Sequence, residues 1–365
     1  VVCAAPTGRA AKRMSETTGL EAKTIHRLLE YKPPHGYQRS AEHPIEGDIL
    51  ILDECSMIDI ILMHNLLKAV DDSMTVIMVG DTDQLPSVGP GNVLNDIITS
   101  HVVPVVQLRQ IFRQAKGSRI IVNAHRINQG KGIEIANGKG SDFFFIESAT
   151  PEDALEQILT LVTVRLSAYY HADPIRDIQV LSPMQRGVVG AANLNRMLQE
   201  KLNPSPEASP KPSLNRTGIA YRLHDKVMQI KNNYDKDVFN GDIGTITHVD
   251  LDNQELTITF DGRAIVFERS ELDEIVLAYA ITIHKSQGSE YPIVVLPFMM
   301  AHFVMLQRNL LYTAVTRARK VLVLVGERKA VGYAIRNQKT HERNTKLDER
   351  LQRIGQESSS GARIP

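Results

Sequence analysis

The chain of 365 residues contains no tryptophan, and only 5% of it is aromatic. Extensive base stacking is thereby excluded, because each stacked base needs its own aromatic face. Cysteine is nearly as scarce. Cys3 and Cys55 are the only two, and both lie in or beside apolar runs, where a thiol behaves as a small buried hydrophobe. That usage fits neither a disulfide framework nor a zinc site, and a reducing, cytoplasmic setting is expected. Net charge is missing as well: 42 Lys and Arg balance 42 Asp and Glu. No overall basic field draws the chain to a polyanion. No apolar stretch reaches the roughly 20 residues that a membrane helix needs. A Gly-x-Ser-x-Gly elbow is absent, so a serine-hydrolase reading is unsupported. The absence with the largest consequence is a Gly-x-x-x-x-Gly-Lys-Ser/Thr phosphate loop, which occurs nowhere in the sequence.

What is present is globular. Apolar residues make up 42% and charged residues 23%, and the length predicts two or three domains. Charge is unevenly spread. Residues 1–40 hold seven Lys/Arg against three Asp/Glu, and residues 327–353 hold eight against four. Such patches fit a nucleic-acid track or a solvated helix face about equally. The chain opens on Val-Val-Cys-Ala-Ala-Pro, which reads as the end of a strand, with no signal-peptide pattern. Further sequence upstream is therefore expected.

Residues 1–115 alternate short apolar strands with helical patterns, which predicts βαβ units on a parallel sheet. Helices are expected at 8–18, 24–30 and 59–70. Residues 31–47, rich in proline and glycine around Tyr37, read as a protruding hairpin or loop. A second α/β unit is expected over 116–220 and 276–340. Between its halves, residues 221–275 change to short alternating runs with turns at Asn240-Gly241 and Asp261-Gly262, the pattern of a small antiparallel barrel. Residues 341–365 read as a polar tail that frays.

The apolar run 49–52 ends in Asp53 and Glu54, and the run 75–79 ends in Gly80-Asp81-Thr82-Asp83-Gln84-Leu85-Pro86. Both runs are expected to be buried strands that deliver polar clusters at their C-terminal ends, the edge where α/β sheets bind ligands. Paired carboxylates there suit a nucleotide-bound Mg²⁺ and an activated water, with Asp81 in the outer shell of the metal and Gln84 on a γ-phosphate. Ala5-Pro6-Thr7-Gly8-Arg9 is a strand-to-helix turn whose backbone N–H groups favour a phosphate; capping by Thr7 alone explains it nearly as well. Arg109 and Arg113 stand four apart, and Arg317 and Arg319 form a second cluster. One arginine from each group suits a phosphoryl clamp, against the commoner surface ion pair. His284-Lys285-Ser286-Gln287-Gly288-Ser289-Glu290 suits a loop held against phosphates.

Taken in order, A-P-T-G-R-A-A, T-I-H-R-L-L, D-E-C-S-M, G-D-T-D-Q-L-P, L-R-Q-I-F-R-Q, T-I-H-K-S-Q-G-S-E and L-Y-T-A-V-T-R-A-R resemble the motifs of superfamily 1 helicases, and within them the RecD-type 5′→3′ DNA helicases that include the exodeoxyribonuclease V alpha subunit. The resemblance implies an α/β fold of two RecA-like P-loop NTPase motor domains, the first truncated at its N-terminus, with an SH3-like β-barrel inserted in the second. It implies ATP and Mg²⁺ as cofactors, with Asp53 at the metal position, Glu54 as general base, Gln84 as γ-phosphate sensor and Arg113 and Arg317 as phosphate-binding arginines. Gly288 and Glu290 fall in the loop lining the nucleotide and DNA sites. Pro6, Thr7, Arg9, Thr24, His26, Thr282, His284 and Lys285 match positions that touch single-stranded DNA; Arg186, in the turn Ser-Pro-Met-Gln-Arg-Gly after a strand, is placed with them. Residues 31–47 match a duplex-splitting pin. The implied partners are single-stranded DNA, single-strand/duplex junctions and other repair or recombination subunits, with no membrane.

The missing phosphate loop departs from that pattern. Its Lys and Ser/Thr hold the β- and γ-phosphates and the metal, so the chain is expected to be a C-terminal part of a larger helicase and to hydrolyse ATP poorly alone. A non-enzymatic DNA-binding module and an RNA helicase of the same superfamily are the alternatives. Nuclease activity is unsupported, since no separate acidic cluster remains.

Overall fold

The computed structural model describes residues 1–32, 34–108, 117–135, 138, 140–338, 343 and 345–359. They divide into two units, one built from residues 1–112 and 339–365, the other from 113–338.

Unit 1 carries β1 (Val2–Ala5), α1 (Gly8–Thr18), β2 (Ala22–Thr24), α2 (Ile25–Leu28), β3 (Ile49–Leu52), α3 (Ile60–Lys68), β4 (Thr75–Met78) and α4 (Val93–Ser100). The strands are all parallel, in the order β2-β1-β3-β4. The two central strands, β1 and β3, are short and apolar, as expected where helices cover a parallel sheet. Ala4, Ile25, Leu29, Leu50, Leu52 and Leu66 are fully buried, each large side chain contributing roughly 1.5–3 kcal/mol. Helix α1 starts where Thr7 Oγ1 accepts from Ala10 N and stops at Gly19, whose φ of 72° is left-handed.

Two expectations for unit 1 need correction. Strand β4 is not buried. It is the last strand of its sheet, and Ile77 and Val79 are 44% and 47% exposed. Residues 31–47 do not protrude as a whole: the hairpin is confined to the Lys32–Gly36 bridge. Beyond it the chain lies back on the unit. Gln38 N and Arg39 N donate to Leu29 O, Ile45 N donates to Ala69 O, and Ile45 is buried.

Unit 2 begins with α5 (Arg119–Asn128), β5 (Phe143–Glu147) and α6 (Pro151–Thr160), which runs through a π-helical turn into α7 (Leu166–Tyr170). Next come β6 (Ile178–Ser182), α8 (Ala191–Leu202) and a hairpin of β7 (Ser213–Arg216) and β8 (Ile219–Arg222). An antiparallel sheet of β9 (Lys226–Gln229), β10 (Ile243–Asp250), β11 (Glu255–Phe260), β12 (Arg263–Phe267) and β13 (Ile275–Leu277) is inserted here, in the order β12-β11-β10-β9-β13. Asp261 and Gly262, with φ of 47° and 83°, close the β11–β12 hairpin, the two left-handed residues that a type I′ turn requires. The α/β pattern resumes with β14 (Ala280–Thr282), β15 (Tyr291–Phe298), α9 (Arg308–Thr316), β16 (Ala318–Gly326) and α10 (Arg328–Arg336). The parallel sheet runs β14-β6-β15-β16-β5.

A buried polar knot ties the inserted sheet to this parallel sheet. The Asp225 carboxylate accepts from Gln199 Nε2, Asn203 Nδ2, Tyr279 OH and Arg222 N at 2.6–2.9 Å. Burial raises its pKa above the ordinary carboxylate value, and the four donors are what make a buried anion tolerable.

Finally, α11 (Leu347–Ser359) replaces the expected fraying tail. It packs along α4 in unit 1, with Leu347 against that unit's core. No helix among the described residues is long and apolar enough to cross a membrane.

Candidate functional site

The C-terminal edge of the unit 1 sheet collects the predicted residues in a fixed order. Parallel pairing aligns Ala5 with Thr24, Ala4 with Leu52 and Leu52 with Met78. Reading across strands some 4.8 Å apart, the strand ends present Thr24, then Pro6 and Thr7, then Asp53 and Glu54, then Gly80 and the turn to Gln84.

Each end is shaped locally. Thr24 is buried and its Oγ1 caps α2 by accepting from Arg27 N at 3.1 Å. Pro6, Thr7 and Arg9 are half-buried around the start of α1. Asp53 Oδ1 accepts from Glu54 N at 2.8 Å, and Glu54 sits in the left-handed region at φ 51°, ψ 39°. The β3 and β4 ends are stitched together: Val79 N donates to Leu52 O and Cys55 N to Val79 O. A Cβ on Gly80 would lie 3.0 Å from Cys55 N, so only glycine lets these turns touch. Asp81 Oδ1 accepts from Asp83 N, and its Oδ2 accepts from Gln84 Nε2 at 3.2 Å. The Gln84 side chain is thus held by the carboxylate expected beside the metal. The Cys55 thiol is fully buried, and burial aided by Asp53 and Glu54 pushes it up to about 12. It is inert, as its sequence context implied.

Unit 2 separates its predicted residues between two edges of its sheet. Thr282 pairs in register with Ser182, which brings Thr282, His284 and Lys285 beside the turn carrying Arg186. Arg186 and Lys285 are exposed, Thr282 and His284 half-buried. Arg317, Gly288 and Glu290 lie at the opposite edge, where Tyr291 and Ala318 start β15 and β16. Arg317 is 3% exposed. Its Nε donates to Thr313 O, Nη1 to Ser289 O and Nη2 to Thr316 Oγ1 at 3.1–3.2 Å. The guanidinium therefore braces the loop containing Gly288, itself buried at φ 71°. Glu290 pairs with the exposed Arg319 at 3.8 Å, a contact of little energetic weight. Arg109 and Arg113 lie outside the described residues.

Two features escaped the sequence reading. His26, Tyr31 and Tyr37 form a ring cluster with centroids 5.0–6.0 Å apart. Burial lowers the pKa of His26, and of His284 in unit 2, so both are neutral at pH 7. Only the positions of Tyr31 and Tyr37 flanking the bend hinted at this. The second feature is Ser56, whose buried Oγ has no hydrogen-bond partner among the described residues, two residues from Glu54.

Family models match three stretches of the chain: an AAA domain over residues 1–90, an SH3 domain of ATP-dependent RecD-like DNA helicases over 194–260, and a UvrD-like helicase C-terminal domain over 277–325. The ATP-dependent RecD2 DNA helicase of Deinococcus radiodurans is 36% identical over 95% of the chain. Over nearly its whole length the chain is similar to RecD-like helicases. The RecBCD enzyme subunit RecD of Mycobacterium tuberculosis is 29% identical over 92% of this RecD-like chain. The chain spans 46% of the first relative and 62% of the second. In fold it is similar to the Pif1 helicase of Bacteroides, crystallised with ADP-AlF3 and single-stranded DNA (TM-score 0.51, 20% identity, 99% of this chain and 88% of that one). The Pif1 helicase of Candida albicans is comparable (TM-score 0.51, 18% identity, 97% and 88%).

The RecD-like strand end is compatible with magnesium in its chemistry. Asp53 and Glu54 are half-buried, the donors are hard oxygens, and the unpartnered Ser56 Oγ offers a further oxygen nearby. No preformed cluster of three metal-ligating side chains occurs among the described residues, as expected for an ion that arrives with its own waters and substrate phosphates.

Proposed function

We propose that this chain carries the motor folds of an ATP-dependent DNA helicase that translocates 5′→3′ on single-stranded DNA and opens duplex at single-strand/duplex junctions in repair or recombination, alongside other subunits. The observation that carries this reading is the unit 1 sheet edge, where the Thr24 and Thr7 turns sit beside the Asp53–Glu54 pair and the Gln84 turn. A strand of DNA held at one end of that row and a nucleotide at the other are coupled through a few rigid strand ends. Pro6, Thr7, Arg9, Thr24 and His26 would contact the DNA from unit 1, and Arg186, Thr282, His284 and Lys285 from unit 2. Contacts to the sugar-phosphate backbone suit a motor that steps along any sequence. Neutral His26 and His284 donate hydrogen bonds without adding charge, which leaves Arg9, Arg186 and Lys285 as the salt-sensitive contacts.

Asp53 would hold Mg²⁺ through water, with Asp81 in its outer shell, and Glu54 would orient and deprotonate the attacking water. Bound magnesium would neutralise charge on the transferring phosphoryl group. Gln84 would hydrogen-bond the γ-phosphate, and Arg113 and Arg317 would stabilise its developing charge. Gly288 and Glu290 would line the same site. Arg317 would meet the phosphate with N–H groups that its bonds to Thr313 O, Ser289 O and Thr316 Oγ1 do not use.

The absence of a phosphate loop supports a second reading of these 365 residues taken alone: a DNA-binding unit without ATPase turnover. Fluorescence anisotropy with labelled oligo(dT), titrated against salt, and a DNA-stimulated phosphate-release assay test both. Salt-dependent binding without turnover is expected. Robust turnover overturns the predicted inactivity, and no binding to DNA overturns the helicase reading. Preference for oligo(U) over oligo(dT) favours an RNA helicase.

A further inference from the structure

The C-terminal segment of the chain does more than cover α4. Arg343 places its guanidinium in the loop of residues 85–91, which begins directly after Gln84. Its Nη1 donates to Ser87 Oγ at 3.1 Å, Gly89 O at 2.6 Å and Gly91 O at 2.5 Å, and its Nη2 donates to Ser87 O. On its other side the loop rests on the start of α3. Ile60 N donates to Pro90 O at 2.9 Å. A Cβ on Gly89 would fall 2.1 Å from Asp59 Oδ2, and one on Gly91 3.0 Å from Ile60 Cβ. Asp59 caps α3, and α3 follows directly from the Asp53–Glu54 turn.

This loop holds two prolines and two glycines in seven residues; the prolines lack N–H donors and the glycines add freedom, so its carbonyls look to donors from elsewhere. A planar guanidinium with five fixed donors suits that task. The strap is then secured further along. Thr345 Oγ1 donates to the buried Asp96 carboxylate on α4 at 2.7 Å. Leu347 packs into the unit 1 core, and a Cβ on Gly355 would meet Val102 Cγ1 at 2.8 Å.

We propose that Arg343 is a positioning residue: it clamps loop 85–91 and so fixes Gln84 against Asp81 at the strand end. The proposal rests on the reading of Gln84 as the γ-phosphate contact. Residues at the far end of the chain thereby set the geometry of a sensor more than 250 positions earlier.

The test uses the full chain labelled with ¹⁵N-glutamine, the Gln84 side-chain amide signal being assigned through Gln84→Glu. Arg343→Ala is expected to shift that signal and to speed amide exchange about tenfold over residues 84–92 while β1, β3 and unit 2 keep their protection. Arg343→Lys, which keeps the charge but lacks the fork, is expected to fall between. An unmoved Gln84 signal overturns the proposal. So does exchange that rises evenly across unit 1, because that marks a general packing role. If Arg343→Ala fails to fold, Arg343→Lys alone decides by the same two readouts. Adding Mg·ATP to the wild-type chain reports separately on Gln84: a shifted signal supports the γ-phosphate reading, while the clamp stands or falls on the R343A result alone.

Discussion

Strands β4 and β15 are written in nearly the same alphabet and live in different surroundings. Thr-Val-Ile-Met ends the unit 1 sheet with alternate residues exposed, whereas Tyr-Pro-Ile-Val-Val-Leu-Pro-Phe runs through the middle of the unit 2 sheet with all but one residue buried. The apolar run after α4 shares the exposure of β4: Val103, Val105, Val106 and Leu108 are 43%, 42%, 87% and 95% exposed. An apolar run thus does not specify a central strand: β4 lies at an edge and residues 103–108 form no strand at all. The same contrast holds for chemistry. The carboxylates of unit 1 are half-buried and held mainly by the backbone, while Arg317 in unit 2 is buried and its donors serve the fold. One unit presents its candidate groups half-exposed; the other holds its candidate arginine as a structural brace.

The largest test of that contrast is a pair of truncations. Leu324→Ala, fully buried in β16, is expected to cost about 2–5 kcal/mol, whereas Ile77→Thr in β4 costs less than about 0.5 kcal/mol. Urea titration read by hydrogen exchange on peptides from each unit measures both. Equal losses would mean that the edge strand is as tightly packed as the central one.

Acid provides the next. His302 in unit 2 is 3% exposed and burial pulls its imidazole down to about 4. The unfolded chain takes up that proton near pH 6.5, so the folded state falls behind in protonation below this value. Stability from this group is intact above about pH 6.5 and is lost progressively down to about pH 4, roughly 3 kcal/mol in all. His302→Gln retains an acceptor for Met299 N and is expected to flatten that limb of the stability–pH curve for unit 2. An unchanged slope would assign the acid sensitivity elsewhere.

The reactive groups themselves give smaller effects of opposite kind. Arg317→Ala removes the guanidinium donor from the buried Ser289 carbonyl and is expected to cost about 1–3 kcal/mol before any question of phosphate arises. Glu54→Asn puts a residue tolerant of left-handed backbone at φ 51° and is expected to stabilise unit 1 by up to about 1 kcal/mol, while removing the carboxylate proposed as general base. Thermal melts separate the two. A stabilising Arg317→Ala would break the comparison.

Local features were legible in the sequence. Thr7 caps the helix that was expected after it, Asp261-Gly262 makes its turn, and the paired carboxylates stand at a strand end. Features that depend on distant neighbours were not. The exposure of β4 depends on having a neighbour on one side only. Strand β13 is only three residues long and needs β9 to pair with. The polar pattern of residues 347–359 resembles a solvated helix until α4 supplies the surface that its few apolar residues cover. Residues 37–45 lie down because Leu29 O and Ala69 O, far from them in sequence, accept their N–H groups.

Helix α11 also sets a timetable. Residues 1–112 of unit 1 are made early, yet Arg343, Thr345 and Leu347 join them only after more than 200 residues of unit 2 have been made. At ~5–20 residues per second, the ribosome takes roughly 10–50 s over that stretch. Throughout it α4 waits with its outer face bare and loop 85–91 unclamped. A nascent chain halted before residue 343 therefore carries all the residues of unit 2 while unit 1 still lacks its clamp.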